Sequence, residues 1–157
     1  MKIKKLLFFT FYFVFLVFFI ACSVKTTPIY AVIKTPKIKI ADEGFIKESF
    51  GYKKIIIYKV GLKPFSVTIK NSFICFSGKC QNKKDVIKSL NKKYPQDFFD
   101  KILNQKPLKF LGKIKKINDG FIQKKDGYLY KVTKDEVLFK DKRANILILI
   151  KYLQDKK

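Results

Sequence analysis

The feature that most constrains this chain is an apolar run near its N-terminus that ends at a cysteine. A lysine-rich start precedes the run from Leu6 to Ala21, which only Thr10 interrupts, and Cys22 follows directly. This order is typical of a secretory signal peptide. Because a transmembrane helix needs about 20 apolar residues, the run is somewhat short for a permanent anchor. We therefore expect residues 1–21 to be a leader that is removed.

Residues 19–22, Phe-Ile-Ala-Cys, resemble the lipobox of bacterial lipoproteins, with Phe where Leu is usual. The resemblance implies that Cys22 is diacylated and becomes the new N-terminus. A second acyl chain turns marginal membrane binding into stable anchoring. By the sorting rule of enterobacterial lipoproteins, Ser23 indicates the outer membrane, with the domain facing the periplasm. The alternative is an uncleaved N-terminal anchor.

A single domain of modest size is expected after the lipid attachment point. Removal of the leader leaves 157 − 21 = 136 residues. Residues 22–36 contain Thr26, Thr27 and Pro28 and are expected to form the lipidated start and a tether. Residues 37–157 are then one periplasmic domain, long enough for one hydrophobic core.

The mature chain is strongly basic. The formal net charge is +23, and the leader holds three lysines and no acid, so 23 − 3 = +20 remains after cleavage. Such an excess indicates a polyanionic partner. Export favours anionic lipid headgroups or lipopolysaccharide phosphates over nucleic acid. The alternative is a solvated surface in a lysine-biased sequence.

Two further cysteines, Cys75 and Cys80, lie on either side of Ser77-Gly78. In an oxidising compartment this pair predicts a disulfide across a hairpin, and free thiols are the alternative. A metal site would need more ligands, and the chain has no histidine. No metal is therefore expected.

Alternation of apolar and polar residues predicts strands on both sides of a central helical segment. The expected strands span residues 30–40, 53–60, 65–70, 72–76, 109–117, 121–124, 128–132, 137–139 and 145–153. Residues 42–44 are expected to interrupt the strands, and Asp126-Gly127 is a strong hairpin signal.

The apolar period changes to that of a helix after Asn82, which is suited to cap a helix. Pro95 separates the first predicted helix from a second. Each helix has one apolar face, with Lys83 and the other lysines of the first helix elsewhere. The two faces consist of Val86, Ile87, Leu90 and Tyr94, and of Phe98, Phe99, Ile102 and Leu103. The predicted fold class is α+β, mainly antiparallel β, with the sheet curled around two short helices.

The composition argues against an enzyme. Without histidine, the usual general base and the Ser-His and Cys-His dyads are absent. The chain has 12 acids, most of them in expected turns or on helix surfaces, and it lacks a glycine-rich phosphate loop. We expect a binding or transfer protein that uses no cofactor.

Between about Ile38 and Leu153 the chain resembles the outer-membrane lipoprotein receptor LolB. Five features occur in the family's order: the Cys-Ser-Val start at Cys22, the tight loop at residues 60–64, the alternating strand at residues 65–70, the helical pair ending at Pro107, and the C-terminal hairpins. The resemblance implies an incomplete, half-open antiparallel barrel of the LolA/LolB type, with helices in its concave face.

The same resemblance implies a function and a site. Family members bind acyl chains of client lipoproteins in the concave face, and an apolar residue protruding from a loop helps to insert the client into the membrane. Leu62 matches that loop residue. The implied partners are client lipoproteins and a periplasmic carrier, and we expect a monomer. The candidate cavity residues are Phe65, Val67, Ile69, Phe99, Leu103, Tyr130 and Ile148.

Two alternatives stay open from the sequence. The same apolar residues can fill a dry core, since strands rich in Phe and Ile over amphipathic helices do not by themselves require a cavity. The chain is then an envelope structural or assembly lipoprotein that acts through its basic surface on a protein or lipopolysaccharide partner.

Overall fold

The computed structural model describes residues 24–58 and 61–153, which form one antiparallel sheet and two short helices. The strands are β1 Lys25–Lys34, β2 Lys39–Ser49, β3 Tyr52–Ile57, β4 Phe65–Lys70, β5 Phe73–Phe76, β6 Lys79–Asn82, β7 Lys115–Ile117, β8 Gly120–Lys125, β9 Tyr128–Thr133, β10 Glu136–Asp141 and β11 Ile146–Tyr152. The helices are α1 Lys83–Leu90 and α2 Phe98–Leu103.

Nearly every strand pairs with its neighbour in sequence, in the order β6-β5-β4-β3-β2-β1-β11-β10-β9-β8-β7. The first and last strands thus meet in the middle of the sheet, and β6 and β7 form its two edges. In the described residues these edges do not pair, so the sheet is open. The prediction of a mainly antiparallel, unclosed sheet with two short helices is confirmed.

The inner face of the sheet is apolar because the strands alternate. On β11, Ile146, Ile148 and Ile150 are buried, whereas the intervening leucines are partly exposed. The side-chain period of two places alternate residues on one face, which here packs against the helices. The expected helix start is also confirmed, since the Asn82 Oδ1 accepts a hydrogen bond of 2.9 Å from the Lys84 backbone N–H.

The prediction that residues 22–36 form a tether is wrong for most of this range. Residues 25–34 form β1, which lies between β2 and β11. Pro28 suggested a loop, but it lies in β1 just before Ile29, the first residue of β1 that pairs with β11. A proline is tolerated in a strand where it deprives no neighbouring strand of a hydrogen bond.

The predicted strand at residues 30–40 and the break at residues 42–44 are also corrected. Thr35 turns the chain between β1 and β2 by accepting hydrogen bonds from the backbone N–H groups of Lys37 and Ile38 through its Oγ1. Gly44 lies inside β2, where an added Cβ would approach the Ile56 carbonyl oxygen to 2.0 Å. Gly44 is thus required by a close approach of strands, not by a turn.

The predicted strand at residues 109–117 is only partly present. A 3-10 turn spans Lys109–Leu111, and β7 is confined to Lys115–Ile117. The buried Gln123 side chain accepts from the Leu108 N–H at 2.8 Å and donates to the Leu108 and Gly112 carbonyls. This amide satisfies backbone groups that a strand neighbour satisfies elsewhere.

Lys83 was expected among the solvated lysines but is buried. Its ammonium forms an ion pair with Asp100 and donates to the Lys70 carbonyl at 3.2 Å. The pair joins the start of α1 to α2 and to the end of β4. Helical periodicity alone cannot reveal such a contact, because the partner lies on another element.

The Asp141 carboxylate fixes α1 to the turn between β10 and β11. Its Oδ2 accepts from the Tyr94 hydroxyl at 2.7 Å and the Asn91 amide at 3.0 Å, and its Oδ1 from the backbone N–H groups of Arg143 and Ala144. Burial raises the pKa of Asp141, but the hydrogen bonds, led by that from Tyr94, outweigh it and lower this pKa below its ordinary value.

Removal of this carboxylate is expected to destabilise the fold. Asp141→Ala leaves the Tyr94 hydroxyl and two backbone N–H groups without their acceptor and should lower the free energy of unfolding by about 3 kcal/mol. Asp141→Asn keeps an acceptor for the turn and should lose less. Urea unfolding measures both variants.

The lowered pKa of Asp141 also fixes the sign of a pH dependence. A free aspartate titrates near pH 4, at about 3.9, and the folded group titrates below that. The stabilisation from ionised Asp141 is therefore complete above pH 4 and lost as the pH falls through the folded pKa. The stability gap between the natural chain and Asp141→Asn should shrink on acidification, and a constant gap contradicts this role.

Candidate functional site

An apolar cavity of about 190 Å³ lies between the inner face of the sheet and the two helices. Six of the seven residues predicted from the sequence line it. They are Phe65, Val67, Ile69, Phe99, Leu103 and Ile148. Sequence reasoning missed other lining residues, among them Ile33, Phe76, Val86, Leu90, Ile102 and Ile146. The missed residues on the helices do lie on the apolar faces that the sequence predicted. The local sequence, however, does not distinguish a residue that lines a cavity from one that fills a solid core.

Tyr130, the seventh predicted residue, does not line the cavity. It is fully buried on β9, its ring contacts Phe121 and Phe139 at centroid distances of 5.6 and 6.3 Å, and its hydroxyl donates to the Lys106 carbonyl. Burial, aided by Tyr152, raises the pKa of Tyr130 and keeps it protonated. The prediction is wrong because β9 belongs to the half of the sheet that other side chains fill.

The concave face is divided into two unlike halves. Over β8 to β10 an aromatic cluster packs tightly, with Tyr94 stacked on Phe98 at 4.3 Å and Phe98 edge-on to Phe139 at 4.9 Å. Over β1, β3, β4 and β11 the lining is mostly aliphatic and leaves the cavity open. Offset and edge-to-face ring pairs stabilise a fixed arrangement. The aromatic half is thus a rigid wall beside the cavity.

The polar lining of the cavity is sparse and, apart from the buried Thr35, consists of solvent-exposed residues. Thr35 and Lys37 come from the turn between β1 and β2, Gln81 from the edge strand β6, and Ser89 from α1. Lys37 is the only ionisable side chain in the lining. Among the described residues, no acid or histidine lines the cavity beside Lys37. Its chemistry suits an apolar chain, with one cation near the opening.

Leu62 lies in the loop between β3 and β4 and is 62% exposed. It lines a shallow groove together with Lys34, Lys39 and Lys63. Ile33 and Phe65 line both this groove and the cavity, so the two lie next to each other. The exposed loop and its neighbouring lysines therefore lie beside the cavity, with Ile33 and Phe65 between them. Lys59 and Val60 of the same loop lie outside the described residues.

The remaining predicted residues lie elsewhere. Cys75 and Cys80 are joined by a disulfide between β5 and β6. Cys22 and the leader fall outside the described residues. The part of the chain that is described contains no helix long and apolar enough to cross a bilayer. It also brings together no three His, Cys, Asp or Glu side chains in a metal-binding arrangement.

Comparison with models of protein families, with curated proteins and with solved structures finds no match for this chain. The resemblance to LolB therefore stays a prediction from the sequence.

Proposed function

We propose that this chain is a membrane-anchored, periplasm-facing lipoprotein of the outer membrane that binds acyl chains and passes lipidated clients into the membrane, as LolB does. It acts by binding and transfer, not by catalysis. The observation that carries the proposal is the aliphatic cavity between the sheet and the helices. The groove at Leu62 lies next to this cavity and shares Ile33 and Phe65 with it, which places the exposed loop close to a bound chain.

The size of the cavity limits what it holds in this conformation. Its volume of about 190 Å³ lies between an engineered cavity of about 150 Å³ that binds benzene and the roughly 300 Å³ at which ordinary ligand pockets begin. One segment of an acyl chain fits. A client with several chains needs a wider opening. Because β6 and β7 do not pair in the described structure, the sheet can widen without breaking a strand ladder.

Filling the cavity is expected to weaken acyl binding. Val67 on β4 is buried and points into the cavity, whereas Thr68 beside it lies on the outer face. Val67→Trp should weaken binding of a fluorescent fatty acid about tenfold or more, since each buried CH₂ contributes about 0.8 kcal/mol. Thr68→Trp is the matched control and should bind like the natural chain. Titration of the domain from Val24 onwards measures both, with circular dichroism to establish folding.

The competing function acts through the surface. Ion pairs hold Lys53, Lys83, Lys101 and Lys131, while many other lysines are exposed, which suits an envelope assembly protein with an anionic partner. If the natural domain binds no fatty acid but captures lipopolysaccharide or a protein in a salt-sensitive way, the surface function replaces acyl transfer. If acyl binding is equal in Val67→Trp and Thr68→Trp, the cavity is not the site.

A further inference from the structure

The structure leaves almost no tether between the membrane and the sheet. β1 begins at Lys25, three residues after Cys22. An extended chain advances by at most about 3.6 Å per residue, so this linker spans about 10 Å. Whether Cys22 carries lipid or the apolar leader is retained, the start of β1 must lie that close to the bilayer.

The turn between β2 and β3 lies at the same end of the sheet. Lys25 pairs with Glu48 of β2, and Ser49 pairs with Tyr52 of β3. Phe50 forms the tip between them and is fully exposed, at 104%. Phe50 lies two residues beyond Glu48, the partner of Lys25, so it extends roughly 7 Å past the start of β1. A large apolar side chain therefore stands unprotected within reach of the membrane.

Other exposed apolar side chains continue from this tip along the same hairpin. Phe45 and Tyr58 are exposed and meet edge-to-face, with ring centroids 6.0 Å apart. Among the described residues eight large apolar side chains are exposed, and five fall between residues 24 and 62. These five are Val24, Phe45, Phe50, Tyr58 and Leu62. Phe45 and Tyr58 form one contiguous apolar pair on the outer face, and Phe50 and Leu62 lie near the two ends of the same hairpin.

The outer face of the hairpin also carries two lysines that face each other without an acid between them. Lys47 of β2 lies directly opposite Lys54 of β3. Like charges in this position destabilise a sheet, and neither lysine forms an ion pair in the described structure. Glu43 is the acid that the alternation of β2 places on this face. An anionic surface lying against the face relieves the repulsion.

We propose that the outer face of the β2–β3 hairpin, formed by Phe45, Phe50, Lys47 and Lys54, lies along an anionic phospholipid bilayer with Phe50 inserted. The proposal rests on the membrane anchoring proposed above and adds the orientation. The strands then run parallel to the membrane. The six residues of β3 span about 20 Å from the Phe50 end of the hairpin to the loop with Leu62. The side-on orientation brings this loop to the same bilayer that holds the anchor.

The chain contains no tryptophan, so a single introduced indole reports on one position. Phe50→Trp is made in the full chain and reconstituted into phosphatidylglycerol vesicles that contain brominated phosphatidylcholine. Its emission should shift to the blue and be quenched by more than half. The matched control is Ile114→Trp, an exposed apolar position just before β7, which should be unaffected. Adding Lys47→Glu and Lys54→Glu to Phe50→Trp should reduce the quenching, and this reduction should become smaller at high salt because salt screens the charges.

Each outcome separates the orientation from the anchoring. Vesicle flotation measures whether the chain is anchored to the membrane. Quenching by brominated lipid measures whether the face with Phe50 contacts it. Flotation without quenching of Phe50→Trp overturns the proposed face and leaves the anchor standing. Quenching on added vesicles without stable flotation supports the face and refutes the anchor. Equal quenching of Phe50→Trp and Ile114→Trp overturns the proposal in favour of non-specific adsorption. Shielding of Phe50→Trp from acrylamide without quenching by lipid overturns it in favour of a protein partner.

Discussion

Cys22→Ala is expected to abolish incorporation of radiolabelled palmitate and to leave either an unlipidated precursor or a soluble product. The reason is chemical, since no other group at that position can form the thioether to the diacylglyceryl moiety. The effect is all-or-none for labelling. The described domain should be unchanged, because β1 begins three residues later, at Lys25.

The control for this experiment is the double variant Cys75→Ala/Cys80→Ala, which removes the other two thiols of the chain. It should keep the label, although it loses the link between β5 and β6. Mass spectrometry distinguishes an unprocessed Cys22→Ala precursor, which is longer by the 21-residue leader. A Cys22→Ala chain of mature mass that stays fully in the membrane rules out lipid anchoring.

Leu62→Glu is expected to reduce delivery of a lipidated client to vesicles about tenfold while leaving folding and localisation intact. Insertion of the exposed leucine into the acyl region contributes about 1 to 2 kcal/mol, close to a factor of ten in affinity. The glutamate also places a negative charge beside anionic headgroups that Lys63 and Lys39 otherwise attract. Because Leu62 is already exposed, the substitution removes no core contact.

Two variants give the Leu62 experiment its controls. Leu62→Met keeps an apolar side chain and should deliver normally. Ile114→Glu places the same charge at an exposed apolar position near β7 and should also deliver normally. Fatty-acid binding in the cavity should persist in all three variants, because the loop lies outside it. Full delivery by Leu62→Glu removes the insertion step from the proposed function and leaves the cavity untouched.

Contact of both the anchor and the Leu62 loop with one bilayer restricts how the domain can be oriented. The start of β1 and the loop with Leu62 lie at opposite ends of β2 and β3, as the register shows. Both reach one bilayer only if the hairpin lies along it. A result that supports Leu62 insertion but refutes contact at Phe50 therefore assigns Leu62 to a different membrane from the one that holds the anchor.

Local chemistry was sufficient for part of the fold. Asn82 caps α1 as expected, and Asp126-Gly127 turns β8 into β9 with positive φ angles of 39° and 89°. Such a turn matches the twist of a hairpin. The strands at residues 65–70 and 128–133 follow directly from alternation. In each case the deciding interaction lies within a few residues of the signal.

For the described residues, the sequence was sufficient to predict alternating strands around two short helices, a close pair of cysteines and apolar inner faces. Tertiary structure alone decided what covers each face. Pairing with β11 made a central strand of an expected tether, an ion pair with Asp100 buried Lys83, and ring packing against Phe139 placed Tyr130 in a dry core while Val67 borders a cavity. The physical reason is that periodicity reports which side of an element is apolar, whereas burial depends on distant partners that the local sequence does not encode.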